Sequence, residues 1–312
     1  VADNSQEQIN RLSSLAKILK KIIAYLRMMR PANIVTSVAD ILAGIAISGV
    51  LSSGLSIPWL SIVFLAASTA CLYGGGIVFN DVFDADLDKI ERPERAIPRG
   101  LISLQNATIL GSLLLLGGIA LAALNSLTSG LLALLVAVFA LLYNKFGKHH
   151  SFFGPLNMGL CRGFNLLLGL SIVPAMLCSH YYLAIIPVIY IFSITMTSRG
   201  EVHGGHAKNL YLAAFLYAIV ICAIAYFAFV NDRLLWSLLF LVPFSFMIFR
   251  PLLKAIKEPI GKNIGGAVKA GVISLILMDA AWAVTFDALI LAFIIAALLP
   301  LSMWLSKLFA VT

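Results

Sequence analysis

Between Asn80 and Asp88 the chain reads N-D-V-F-D-A-D-L-D, one amide and four carboxylates closing an apolar run from Ser61 to Phe79. A helical residue turns by about 100°. Relative to Asp81, that puts Asp84 near about −60°, Asp88 near about −20° and Asn80 near about −100°, one face over two turns. Asp86 points to the opposite side. Carboxylates clustered at a membrane boundary repel one another and lose hydration, which favours a cation among them. Oxygen-only ligands suit Mg2+, which keeps several waters and binds through few carboxylates plus substrate phosphates. The next segment, K-I-E-R-P-E-R-A-I-P-R-G, places Arg92, Arg95 and Arg99 among prolines that hold the loop extended. Guanidinium forks beside a metal-binding face suit a diphosphate, although topology or surface pairing competes as the role of each arginine. A solvated acidic loop is the plain alternative. The one-face spacing and Gly74, Gly75 and Gly76, one turn earlier, weigh against it, because glycines let a neighbouring helix approach closely.

The elements that carry this face are membrane helices. Of 312 residues, 61% are hydrophobic and 12% charged, and the mean hydropathy is +0.99. A soluble domain is about 25% charged. Apolar blocks of spanning length predict ten helices, at 32–52, 57–79, 106–125, 126–143, 153–176, 181–198, 209–230, 233–250, 264–285 and 287–308. Backbone groups in hydrocarbon must pair internally, and strand alternation for a barrel is absent, so the fold class is an all-α polytopic bundle. The net charge of +8 does not indicate nucleic acid, since 20 of the 22 Lys and Arg lie in loops on one side of the ten-helix count. By the positive-inside rule both termini and those loops are cytoplasmic. Residues 1–31 read as a tail followed by an amphipathic basic helix on the cytoplasmic face, without a secretory signal, and 32–312 as a single transmembrane domain. Cys71, Cys161, Cys178 and Cys222 lack C-x-x-C spacing and read as packing residues.

The strings N-D-V-F-D-A-D-L-D and E-R-P-E-R-A-I-P-R-G resemble the first aspartate motif, N-D-x-x-D-x-x-x-D, of the UbiA superfamily of intramembrane prenyltransferases. M-R-P-A-N, Met29 to Asn33, is similar to the start of that family's helix one, and Tyr143 with Lys148 to its helix-four Tyr and basic residue. A CDP-alcohol phosphotransferase also carries several aspartates at a membrane edge, but its D-G and A-R spacings are absent here. The resemblance implies about nine helices around a cavity open to the cytoplasmic face and laterally to lipid. It also implies Mg2+-assisted departure of diphosphate from a polyprenyl diphosphate, and alkylation of a small acceptor by the resulting allylic cation. Asp81, Asp84 and Asp88 would hold the metal with Asn80 in support. Arg95, Arg99, Lys148 and Arg199 would contact the diphosphate, and Asn33, Asn80 and Tyr143 would face the cation-like carbon.

The chain also departs from that pattern. Where the family carries a second aspartate motif, this sequence has T-M-T-S-R-G-E-V-H-G-G-H-A-K-N. Glu201 is the only carboxylate there, four residues after Thr197, with His203 and His206 nearby. Glu201, with His203, could take the second metal or a metal-bound water. The imidazoles could instead contact diphosphate or deprotonate the acceptor. Or the second site, and activity with it, is lost. The tenth helix is a further departure. So is Arg162 in C-R-G-F-N, near mid-bilayer, where a charge is costly and marks function by default. Asp40, Asp279 or a phosphate are its expected partners, and an ion pair tying helices together is the competing role. S-R-G-E-V-H-G-G and G-L-C-R-G-F-N-L-L-L-G resemble the EboC-like branch of the superfamily. The rival from another class is a transporter or non-catalytic isoprenoid-binding protein on the same bundle. The paired broken helices of an internally repeated carrier are not found.

Overall fold

The computed structural model describes residue 15 and residues 18–52, 56–148, 150–201 and 207–309. The expectations for the N-terminal tail and for His203 and His206 lie outside these residues. Among the described residues the chain is helical, without strands. Helix α1, Ile18–Met29, bends by 46° into α2, Pro31–Ile47. Then come α3 (Trp59–Phe83), the short α4 (Ala85–Glu91), α5 (Leu104–Asn125) and α6 (Leu127–Leu142), which runs on as a π-helical turn from Tyr143 to Gly147. Next are α7 (Phe153–Leu170), a one-turn α8 (Leu177–His180) between 3-10 turns, α9 (Ile185–Ser198), α10 (Ala207–Val230), α11 (Leu234–Lys257), α12 (Gly261–Thr285) and α13 (Leu289–Leu308).

Each of the ten expected spans has a counterpart. Among the described residues eight stretches are long and apolar enough to cross a membrane on their own, and the bent α1–α2 pair makes a ninth. Helix α7 is the remaining one, and Asn157, Arg162 and Asn165 reduce its apolar character. It still runs beside α6, from Gly154 against the Gly147 carbonyl to Ser171, whose hydroxyl lies 2.7 Å from that of Ser129. The chain alternates in direction. Arg30, Asp81, Arg95, Lys148 and Arg199 meet at one end, while Arg233 and Asp287 pair at 2.7 Å at the other. The tenth span closes the bundle beside the first, with the Ser302 hydroxyl 3.0 Å from the Ala32 carbonyl.

Burial follows sequence. Helix α12 is buried without a break from Ser274 to Thr285 and packs on α2, α9, α11 and α13, as expected of a helix apolar all round at a bundle centre. Outer helices expose Leu113, Leu235, Phe229 and Ile290, which suits contact with lipid. Crossings tighten at glycines. A Cβ on Gly44 would stand 2.3 Å from the Leu166 carbonyl, and one on Gly169 2.3 Å from that of Ile41, so α2 and α7 meet backbone to backbone. That contact brings Asp40 to Arg162.

Candidate active site

Helix α3 extends four residues past its expected end and takes Asn80 and Asp81 into its last turn. An unbroken helix through Asp88 does not form. Asp84 leaves helical geometry, at φ −91° and ψ 1°, and α4 starts anew behind it. Backbone hydrogen bonds from Asp84 to Asn80 and from Asp88 to Asp84 still carry the chain across the break. Asp81 and Asp88 remain on one side, where Arg95 Nη1 reaches Asp81 Oδ1 at 3.1 Å and Asp88 Oδ2 at 2.7 Å. Asp84 turns toward the end of α6 and accepts a hydrogen bond from Lys148 Nζ. Asp86 points away into solvent and pairs with Lys89 at 2.8 Å. The hydrogen bond from Lys89 holds its carboxyl below the usual aspartate range.

The opposing cations arrive from separate elements. Arg95 comes from the loop before α5. Lys148 follows the π turn, whose closing bond runs from the Lys148 amide to the Tyr143 carbonyl at 3.0 Å. Partial burial pushes the Lys148 ammonium below its ordinary pKa. Arg199 anchors this corner by donating to the Lys148 carbonyl at 3.1 Å. Arg30, which lies in the M-R-P-A-N stretch but is not among the expected site residues, stands 3.8 Å from Asp81. It occupies the left-handed region at φ 50° where α1 bends into α2, a conformation that costs a non-glycine residue about 1–2 kcal/mol. Arg99 is exposed on the loop and makes no side-chain contact with the acidic face.

Directly beneath lies a cavity of about 230 Å³, lined from α2, α3, α6, α7 and the π turn. Asn33, Asn80, Tyr143 and Arg162 all reach it, as do Arg30, Tyr73, Asn144 and Asn165. Asn80 donates to Asn144 Oδ1 at 3.2 Å, and Asn144 donates to the Gly76 carbonyl at 2.8 Å, tying the end of α3 to the end of α6. Arg162 pairs with Asp40 at 2.5 Å. Its charge is therefore held by a buried carboxylate rather than presented free.

Glu201 stands on the turn after α9, and Arg92 is the charged neighbour whose field reaches it. Thr197 is buried, with its hydroxyl turned back to the Ser193 carbonyl at 2.9 Å, so the T-x-x-x-E spacing does not place both side chains at one site. Among the described residues no three His, Cys, Asp or Glu groups converge as a ready metal cluster. Instead Asp81, Asp84 and Asp88 are each neutralised by a guanidinium or ammonium. These are oxygen-only donors at a cavity mouth that already draw positive charge from three other elements, and they fit a hard divalent ion.

The family model described as "UbiA prenyltransferase family" matches residues 41–258, more than two thirds of the sequence. The chain belongs to the UbiA prenyltransferase family. Among relatives of this UbiA chain is the digeranylgeranylglyceryl phosphate synthase of Sulfurisphaera tokodaii, 29% identical over 56% of this chain and 60% of that protein. The enzyme of the same name from Methanococcoides burtonii is 34% identical over 46% of this chain and 53% of its own. The chain thus matches three fifths or less of the length of these relatives. A solved structure concerned with digeranylgeranylglyceryl phosphate synthase in membranes superposes with a TM-score of 0.63 at 22% identity, over 86% of this chain and 99% of that one. A UbiA homolog from Archaeoglobus fulgidus, bound to DMAPP and Mg2+, gives 0.59 at 17% identity, over 80% and 98%. At these identities the superpositions speak for the UbiA fold.

Proposed function

We propose that this chain transfers a prenyl group from a polyprenyl diphosphate to a small acceptor inside the membrane. The observation that carries this reading is the juxtaposition of the Asp81, Asp84 and Asp88 carboxylates, each already facing a cation, with a cavity among the helices. The names and bound ligands of the relatives point the same way, toward prenyl diphosphates and Mg2+.

In this reading Asp81, Asp84 and Asp88 hold Mg2+ with Asn80 beside them, and Glu201 and His203 stand in for the second carboxylate motif. Bound there, Mg2+ supplies Lewis-acid stabilisation of the charge that develops on the departing diphosphate. Arg95, Lys148 and Arg30 turn from the carboxylates to the diphosphate oxygens, with Arg99 and Arg199 on the outer rim. Asn33, Asn80 and Tyr143 present amide dipoles and an aromatic face to the cation-like carbon, in a cavity that a bound prenyl chain would fill and clear of water. The basic end of the bundle faces the cytoplasm, both termini included, in a bacterial plasma membrane or related internal membrane. Residues 1–31 form the tail and interfacial helix, and 32–312 the single catalytic domain.

Incubating the membrane-embedded protein with Mg2+, geranylgeranyl diphosphate and a membrane extract should release pyrophosphate. Asp84→Ala should abolish Mg2+-dependent diphosphate binding with the helical circular dichroism unchanged. Binding that survives this substitution removes the metal role. Absence of pyrophosphate release with every prenyl length tried turns the reading to a carrier or isoprenoid-binding protein.

A further inference from the structure

The cavity has an inner end away from the acidic mouth, and its charge is closed on itself. Arg162 Nη1 donates to Asp40 Oδ2 at 2.5 Å, and Nη2 to the Thr36 hydroxyl at 2.7 Å. The guanidinium lies 5.1 Å from the centre of the Tyr73 ring. Asn165 is equally committed. Its amide donates to the Ser37 carbonyl at 2.9 Å and to Asp40 Oδ2 at 3.1 Å, and its oxygen accepts from Thr69 at 2.6 Å. Asp279, on α12, lies against Asp40 and within the field of Arg162. Both carboxylates are 1% exposed.

One guanidinium therefore faces two carboxylates. With Asp40 bonded to Arg162 and Asp279 beside them, the inner end carries no surplus positive charge. An anionic group entering it would lose hydration without gaining a counter-ion, a heavy cost in an apolar site. The remaining lining there is Leu72, Val136, Met158, Cys161 and Tyr73. The Tyr73 hydroxyl makes no hydrogen bond among the described residues. Its ring lies against the Arg162 guanidinium, and both side chains line the cavity. Tyr143, nearer the mouth, likewise offers a neutral hydroxyl.

Building on the prenyl-transfer reading, we infer that this inner end is the acceptor subsite and that it selects an acceptor presenting an uncharged hydroxyl-bearing group, which Tyr73 recognises. A phosphate or carboxylate at this end would compete with the buried Asp40 carboxylate for the Arg162 charge. The digeranylgeranylglyceryl phosphate in the relatives' names carries a phosphate that would meet only a guanidinium already paired with Asp40 here. Tyr73 is a specificity-determining residue, and Arg162, Asp40 and Thr36 are positioning residues that act through it.

The experiment uses the full chain in detergent micelles, loaded with Mg2+ and the unreactive analogue geranylgeranyl thiodiphosphate, and titrates matched acceptors by calorimetry. The pairs are benzyl alcohol against benzoate, and geranylgeranylglycerol against its phosphate. The neutral member of a pair should bind at least about tenfold more tightly than its anionic partner, the size of one well-made hydrogen bond, with the avoided bare charge adding to it. Tyr73→Phe should weaken the neutral member by about tenfold relative to the thiodiphosphate. Asp40→Asn combined with Asp279→Asn, which strips Arg162 of both carboxylates, should move the preference toward the anionic member. Tyr73→Phe leaves the ion pair in place and so tests the inference even if the doubly substituted protein does not fold. Anionic acceptors bound as tightly as neutral ones, or a Tyr73→Phe protein with undiminished neutral binding, would overturn it. Thiodiphosphate that fails to bind the wild-type chain counts against prenyl transfer itself, and this inference falls with it. Retained thiodiphosphate binding with an anion-preferring inner end overturns this inference alone.

Discussion

Replacing Arg95 by Gln tests whether this guanidinium holds the place of a metal ion. Arg95 bridges Asp81 and Asp88 at 3.1 and 2.7 Å, and the three side chains are only 13%, 11% and 4% exposed. Hydrogen bonds to charged groups contribute about 1.5–3 kcal/mol each, and removing one partner of a buried pair costs about 3–5 kcal/mol. Because water still reaches this site, a loss of about 3 kcal/mol is expected in metal-free protein. Glutamine keeps some bulk, so little of that loss comes from a cavity. Mg2+ should restore most of it, since a ligand at a hundred times its Kd stabilises by about 2.7 kcal/mol. The wild type should gain less from Mg2+, because its own guanidinium must first be displaced. Unfolding in micelles, followed by circular dichroism with and without Mg2+, reads all four stabilities. An Arg95→Gln protein as stable as wild type without Mg2+ would refute the exchange, as would equal Mg2+ gains in the two proteins.

Other substitutions probe the surrounding frame. Arg30→Gly relieves the left-handed backbone while removing a cation from the mouth. Stability should stay within about 1 kcal/mol of wild type, and the diphosphate Kd should rise about tenfold; an unchanged Kd on titration would free Arg30 from the site. The lowered Lys148 pKa has a pH signature. Diphosphate binding takes the protonated amine, so affinity should fall as pH rises, starting below the ordinary lysine value of 10.5. Lys148→Arg should flatten that limb, because guanidinium stays charged. Gly169→Ala drives a Cβ to 2.3 Å from the Ile41 carbonyl, a backbone atom that cannot swing aside. It should destabilise by about 1–3 kcal/mol in micelle unfolding.

The parts legible in the sequence are those set by composition and local period. Apolar length marked the spans, and the position of Lys and Arg marked the end of the bundle where Arg30, Asp81, Arg95, Lys148 and Arg199 meet. The 100° phase separated Asp86 from its neighbours correctly, but it presumed a continuous helix and so missed the break at Asp84. That break sends Asp84 toward Lys148 instead of toward Arg95. Arg162 announced itself as a charge in the membrane with Asp40 among its expected partners, and it pairs with Asp40. Asn165 and Tyr73 went unnoticed, although Asn165 lies three residues after Arg162 and hence on the same helical face. Tyr73 looked like one more aromatic in an apolar run. Its importance comes from the crossing of α2 and α7 at Gly44 and Gly169, which no local pattern reveals. Arg30 carried a signal in its Arg-Pro step, since a residue before proline avoids ordinary helical geometry.

The wide turn from Tyr143 to Gly147 has a consequence for how this corner could change over time. On an ordinary α-helix five steps amount to about 500°, leaving Lys148 about 140° around the cylinder from Tyr143. The i→i+5 closure instead stacks the lysine almost above the tyrosine. The corner thus behaves like a helix with one surplus link. Deleting a single residue between Lys145 and Gly147 would restore regular winding with the lysine four steps, about 400°, after Tyr143, and so still almost above it. A lineage could therefore lose the surplus link with one codon and keep the ammonium beside Asp84, whereas a second lost codon would carry it about 100° away while the span stays intact.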